Sequence, residues 1–339
     1  MNSRFVITKQ NLLKMKKGIV ILDLFAGYGG AELSAKFAGV KVQKSYISEI
    51  NKSALKVLRK HFPKAIFVGD VRNLRAKDFI DVTIICAGSP CQSFSFAGKR
   101  KGMVTKTNVE IYTLKQFMKL KKEGFEFEGQ SYLFWEFVRL YKEITQLQRK
   151  MGLPEAKFIL ENVDMEQKWE DIISDAVGVR PVVFDAALVS AQSRVRLFWT
   201  NIGEIKVPQD MNIKLGDVIK GAVAGVGFRG RKLKGQDFYS YPKTVRNDNK
   251  CNCLVTTLGN KTKEGKYYGT GHYQDKKGNI KTITIEQAEI LQGLEAGYTN
   301  VEGVSNTARI KMIGNGWAIP VTGRIFEYFK KQTKILNSK

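Results

Sequence analysis

Four side chains from three separate stretches carry candidate chemistry, a thiol, a carboxyl and two guanidinium groups: Cys91, Glu161, Arg194 and Arg196. Cys91 sits in Gly88-Ser89-Pro90-Cys91-Gln92-Ser93-Phe94, directly after an apolar run. That places a thiol in the crevice at a strand end, where open sheets bind ligands and a nucleophile belongs. Taken alone, the same thiol reads equally as structural. Cys86, inside the run, reads as an inert packed thiol. Glu161 follows Phe158-Ile159-Leu160, again at a strand end, where desolvation keeps a carboxyl protonated and able to act as an acid. Arg194 and Arg196 alternate along the edge of the next strand. Alternation turns both to one face, as cationic donors at the same strand end.

A second constellation concerns binding. Asp23-Leu24-Phe25-Ala26-Gly27-Tyr28-Gly29-Gly30 follows an apolar strand and opens a helix. Glycines there let the backbone approach a nucleotide-like ligand closely. Glu49, at the end of the next strand, is placed as the ribose-binding acid of such units. A dinucleotide and S-adenosylmethionine both offer adenosine, and the turn alone does not decide between them. Asp70, in Val68-Gly69-Asp70-Val71, accepts a hydrogen bond from an adenine amino group or caps a turn.

The elements that must carry these residues follow from hydrophobic periodicity. Strands are expected at Ile19 to Leu24, Lys41 to Ile47, Ala65 to Val68, Val82 to Ala87, Phe158 to Leu160, Val182 to Ala187 and Val195 to Thr200. Helices are expected at Ala31 to Phe37, Lys52 to His61, Tyr132 to Gln148 and Trp169 to Ala176, which predicts an α/β fold on a mostly parallel sheet. Lys99 to Glu123, with eight basic and two acidic residues, reads as a mobile loop. Beyond Asn201 helical patterning fades, and residues 206–281 hold 16 basic and 6 acidic residues, with Tyr239, Tyr241, Tyr267, Tyr268, His272 and Tyr273 among them. That mixture suits phosphates and base faces. A helical pattern returns at Thr284, and Ile319 to Phe329 predicts a terminal helix docking back on the first domain.

The 339 residues carry a net charge of +24 with a pI near 9.8, so a polyanion is the expected partner. At 43% hydrophobic content the chain has material for a packed core, which excludes wholesale disorder. Four cysteines without a zinc-finger layout suggest a reducing compartment, and Cys251-x-Cys253 with only His272 nearby predicts no metal site. No stretch approaches the roughly 20 apolar residues of a membrane helix, and no signal peptide is expected, so the protein is expected in the cytoplasm, as a monomer.

In this order along the chain, the motifs resemble the DNA (cytosine-5)-methyltransferase family. Asp23 to Gly30 is similar to its cofactor motif, Ser89-Pro90-Cys91-Gln92 to its nucleophile motif, Glu161-Asn162-Val163 to its acid motif and Gln192 to Phe198 to its arginine motif. Gly314-Asn315-Gly316-Trp317 is similar to the C-terminal motif that returns to the cofactor. Val189-Ser190-Ala191, and Ser305-Asn306 with Arg309, resemble the branch holding animal de novo and similar phage and bacterial enzymes. The resemblance implies a Rossmann-like class I methyltransferase sheet in residues 1–205 and 283–339, interrupted by a small, mostly irregular or β target recognition domain at 206–282. It implies transfer of methyl from S-adenosylmethionine to C5 of a flipped cytosine in double-stranded DNA, in a bacterial nucleoid or phage-infected cell.

By the same matching, Cys91 adds to C6, Glu161 donates to N3 and Arg196 contacts the base. Asp23, Phe25, Gly27, Gly29, Gly30, Glu49, Ile50, Asp70, Val71, Gly88, Pro90, Leu133 and Asn315 hold the cofactor. Lys99, Arg100 and Lys101 close on DNA behind the flipped base, while Arg229, Arg231, Arg246 and Thr257 are the candidates for reading it. The chain departs from the family's usual short loop by an insertion at about Met103 to Gln130. A tRNA cytosine-5 methyltransferase of the same architecture is the rival, although its Cys-Phe-Thr signature is missing here. A non-catalytic DNA-binding paralogue and a nicotinamide-dependent oxidoreductase are the others.

Overall fold

The computed structural model describes residues 18–90, 103–228, 244–259 and 269–337. Strands β1 (Ile19–Leu24), β2 (Val42–Ser48), β3 (Ile66–Phe67), β4 (Ile84–Gly88), β5 (Lys157–Asn162), β6 (Val182–Asp185) and β7 (Val195–Thr200) form one sheet in the order β3-β2-β1-β4-β5-β7-β6. All neighbours pair in parallel except β7, which runs antiparallel to both β5 and β6. Chain order reverses direction between β1 and β4, so the crevice at their carboxyl ends is where a sheet of this kind takes a ligand.

The strands read as continuous apolar runs because both faces are covered. Val20, Leu22, Leu24, Ile85, Phe158 and Leu160 face one core, with α4 (Phe134–Lys150) and α5 (Gln167–Val177) packed on it. Ile19, Ile21, Ile84, Cys86 and Ile159 face the other, with α1 (Gly30–Phe37) and α9 (Ile319–Asn337). Alternation along each strand thus feeds two cores from one run. The expected docking of the terminal helix is observed, and small side chains allow it. Ser34 of α1 and Thr322 of α9 lie 2.5 Å apart through their hydroxyls, both fully buried. Helix α2 (Lys52–His61) starts where Asn51 Oδ1 accepts from the Ser53 and Ala54 amides, satisfying two otherwise orphaned donors.

A separate antiparallel sheet has the order β11-β10-β8-β9, from β8 (Ala222–Phe228), β9 (Thr244–Val245), β10 (Gly269–Asp275) and β11 (Ile280–Thr282). A one-turn helix α6 (Leu215–Val218), α7 (Ile285–Leu291) and Ile313 of α8 (Asn306–Asn315) complete its core. His272 and Tyr273 are buried in this sheet, which corrects their expected place among base-stacking side chains. Tyr239, Tyr241, Tyr267 and Tyr268 lie outside the described residues.

The loop expected at 99–123 is also corrected. From Met103 the chain makes antiparallel bridges, Val104 with Glu110 and Thr105 with Phe127, around helix α3 (Leu114–Lys122). Leu114, Phe117 and Leu120 form its apolar edge, which the five lysines of 106–122 obscure in sequence. Among the described residues no helix is long and apolar enough to cross a membrane, and no group of three or more His, Cys, Asp or Glu is placed to hold a metal ion.

Candidate active site

The carboxyl ends of β1, β2, β4 and β5 open into one cavity of about 980 Å³, at the upper end of the range for small-molecule sites. After β1 the chain turns through left-handed backbone at Phe25 (φ 60°), Gly27 (φ 56°) and Gly29 (φ 91°) before α1 begins. A phenylalanine in that region is costly, and such strain is kept where the surroundings over-determine it. Here the Phe25 amide donates to Ser48 O at 3.0 Å and the Gly29 amide to Ala26 O at 2.8 Å. Gly29 backs onto the Phe62 ring, with no room for a Cβ. A Cβ on Gly27 would meet no atom within 4 Å, which leaves the turn open on its cavity side.

Glu49 ties this turn to β2. One carboxylate oxygen accepts from the Gly27 amide at 2.9 Å, the other from the Ile50 and Asn51 amides at 2.7 and 2.8 Å. Asp23 is buried beneath it, and burial, reinforced by Glu32 and Glu49, pushes its carboxyl well above the usual range. Asp70 caps the turn after β3, accepting from the Arg72 amide at 2.9 Å and pairing with the Arg72 guanidinium. Those bonds hold its carboxyl below the ordinary value. The turn-capping alternative is therefore present, and Asp70 still lines the cavity. Ile50, Val71, Gly88, Pro90, Leu133 and Asn315 line it too. Ile50 is 58% exposed, an apolar side chain standing in the open mouth.

The other end of the cavity carries the acid. Glu161, last but one in β5, is 7% exposed. Burial raises its carboxyl, and Arg196 and Arg194 act against that rise. Arg196 Nε lies 3.0 Å from Glu161 Oε1. Asn162, next along β5, donates from Nδ2 to Ser89 Oγ at 3.0 Å and so fixes the Ser89-Pro90 segment. Cys91 follows Pro90 and lies outside the described residues, as do Lys99, Arg100, Lys101, Arg229 and Arg231. Cys86 is fully buried, its thiol pushed well up by burial.

Both arginines line the cavity, as alternation predicts, but they hold different partners, Arg194 lying just before β7 and Arg196 within it. Arg194 is 3% exposed and donates to Leu254 O at 3.0 Å, Gly314 O at 3.1 Å and Gly316 O at 2.9 Å. It lines the cavity, and its buried Nε has no hydrogen-bond partner. Beside it, Gln192 Oε1 accepts from the Leu254 amide at 3.0 Å, and its Nε2 donates to Gln292 Oε1 at 2.9 Å. Gln292 Nε2 reaches Ile313 O at 2.7 Å. Sequence reasoning missed this buried amide pair; Gln192 stood within a motif, but nothing in the sequence joined it to Gln292.

Trp317 closes the back wall against Gly30 and Gly88, and the Tyr28 hydroxyl donates to its carbonyl. Gly314 packs directly on the Val255 and Thr256 backbone, leaving Thr257 exposed beyond the cavity wall. Arg246 lies apart from the cavity and is paired with Asp248, its Nε 2.9 Å from Oδ1.

A glycine turn at one end of the cavity and a buried carboxyl with its arginine at the other share one site on a seven-stranded α/β sheet. The same fold is found in the solved structure of the Entamoeba histolytica methyltransferase EhMeth (TM-score 0.62, 13% identity, covering 94% of this chain and 99% of that one). Residues 19–171 match the family model for C-5 cytosine-specific DNA methylase. It is 27% identical over 336 residues to the type II methyltransferase M1.ScrFI of Lactococcus lactis subsp. cremoris, covering 91% of this chain and 77% of that protein. To M.NgoBV of Neisseria gonorrhoeae it is 35% identical over 116 residues, 33% of this chain; the match spans about a quarter (27%) of that relative's length.

Proposed function

We propose that the protein transfers a methyl group from S-adenosylmethionine to C5 of cytosine in double-stranded DNA. One observation carries this reading: the Glu161–Arg196 pair shares a cavity with the glycine turn and with Ser89 and Pro90, the residues directly before Cys91 in sequence. The cavity suits the donor. Gly27 leaves space that a Cβ would fill, Glu49 stands beside the turn for a ribose, and Phe25, Ile50, Val71 and Leu133 offer apolar walls to an adenine. Asp23, Gly29, Gly30, Asp70, Gly88, Pro90 and Asn315 complete that assignment. When bound, the donor supplies an electrophilic methyl on a sulfonium.

The chain's own groups prepare the base. The Cys91 thiolate adds to C6, and the displaced electron pair moves through the ring to N3, which takes the Glu161 proton. C5 becomes nucleophilic as a result. Once C5 carries the methyl group, the N3 proton returns to Glu161, and loss of the C5 proton to a base expels the thiolate. Arg196 orients Glu161 and meets the base, while Arg194 acts as a positioning residue through the three carbonyls it holds. Lys99, Arg100, Lys101, Arg229 and Arg231, together with Thr257, are assigned to DNA, and residues 206–282 to its recognition. Arg246 meets a guanine edge only by leaving Asp248.

The assignment is tested with labelled S-adenosylmethionine, DNA and bisulfite sequencing. Cys91→Ser is expected to abolish both methylation and covalent trapping on 5-fluorocytosine DNA while retaining S-adenosylhomocysteine binding. Full activity in that variant, or methyl transfer to tRNA instead of DNA, overturns the proposal.

A further inference from the structure

The insertion at 103–130 lies between the Cys91 segment and α4, a location open to two uses: an arm reaching for nucleic acid or a part of the donor site. We infer that it is a wall of the donor pocket, holding the adenine end in shape through Tyr132 and the Asp70–Arg72 turn. The inference rests on the proposed donor and concerns only this insertion.

Burial is the first support. Met103, Thr105, Ile111 and Phe117 are fully buried, and the apolar ones join the core that holds Leu24, Phe134 and Trp135. An arm built to swing onto a ligand would not share its core with the central sheet. The second support is a run of rings leading to the cavity. Phe117 and Phe127 lie 5.2 Å apart between centroids, and Phe127 stacks on Tyr132 at 4.5 Å with 22° between planes. Tyr132 and Leu133 line the cavity, as do Gly129 and Gln130, where the insertion ends.

Third, an ion-pair path runs from the insertion to the opposite lip. Lys121 Nζ lies 2.5 Å from Oε1 of the buried Glu136, whose other oxygen is 2.8 Å from Arg139 Nε. Arg139 Nη2 donates to Leu74 O at 3.0 Å, directly after the turn in which Asp70, Val71 and Arg72 line the cavity.

Charge argues against the alternative. Residues 103–130 hold five Lys against four Glu. Lys106 pairs with Glu126 at 2.5 Å, Lys119 with Glu123 at 3.8 Å, and Glu110 with Lys168 at 2.6 Å. A phosphate-binding stripe needs uncompensated cations, and most of these are compensated within the protein.

Phe127→Ala in the full chain is expected to weaken binding of S-adenosylhomocysteine, and of adenosine alone, by about fivefold to tenfold. The turnover rate at saturating donor and the DNA affinity should stay within about twofold, and Phe127→Tyr should restore the donor affinity. Equal loss for adenosine and the whole ligand marks an effect at the adenine end, which general loosening would not produce. If Phe127→Ala does not fold, Lys121→Met, which cuts the ion-pair path and keeps an apolar chain beside Phe117, carries the same expectation. Charge reversal at Lys115 and Lys122 on the exposed face of α3 should leave DNA affinity unchanged. Unaltered ligand affinity in Phe127→Ala, or a large loss of DNA binding on that charge reversal, overturns the inference. A wild-type protein that binds no S-adenosylhomocysteine at all instead removes the proposed donor.

Discussion

Glu161 is held between two opposing influences, burial that favours its neutral form and a guanidinium at 3.0 Å that favours its anion. The net is a raised carboxyl, so the proton is retained to higher pH than in an exposed glutamate and is lost as pH rises through the raised value. Activity that depends on that proton should therefore decline on the alkaline side. Glu161→Gln should lower turnover by roughly 10²- to 10⁴-fold, the range for a lost general acid, and remove the Glu161-dependent alkaline limb from whatever activity remains. Arg196→Met removes the influence that lowers the carboxyl, so the alkaline limb should move to higher pH even as turnover falls. A limb that moves to lower pH would show that the arginine acts elsewhere. The positions of Glu161 and the glycine turn were legible in sequence, since each directly follows an apolar run that could only be a strand. The different fates of Arg194 and Arg196 were not, because the start of β7 one residue later decides which guanidinium meets Glu161 and which meets the backbone.

Between elements, the segment at Leu254 and the turn at Gly314 to Gly316 are joined by side chains from one short stretch. Gln192 takes the Leu254 amide and Arg194 the Leu254 carbonyl, while Arg194 and Gln292 share Gly316 O. Replacing Gln292 with Leu leaves Ile313 O and Gln192 Nε2 short of buried partners, so unfolding should become easier by about 2–3 kcal/mol. Gln192→Leu added to Gln292→Leu should cost less than the sum of the two single changes, measured by denaturant unfolding, because each alone strands the other's amide. Full additivity would mean that the pair is not coupled. Nothing local announces this contact: the two glutamines are 100 residues apart, and either would pass as a surface residue. Helix α3 was hidden for a related reason. Its apolar edge is narrow, and lysines surrounding it give the composition of a solvated loop.

At the scale of the molecule, the charge of +24 is spread unevenly, with a net excess of ten positive charges in residues 206–281. If that region holds phosphates, DNA affinity should fall by about a hundredfold or more between 50 and 200 mM salt, through release of counterions. A nearly flat salt dependence would argue for a different face. The central sheet was readable almost strand by strand because both its surfaces are buried and its strands are unbroken apolar runs. The smaller sheet was not, since glycines interrupt the pattern of β8 and β10, β9 and β11 are only two and three residues long, and much of its core comes from α6, α7 and Ile313.

Tyr28 and the Trp317 carbonyl that it grips are 289 residues apart. A ribosome has thus made the glycine turn, the acid and both arginines long before the back wall of the pocket exists. Nascent chains stalled anywhere upstream of residue 317 should therefore be unable to retain the proposed donor, so unfinished copies would stay inert.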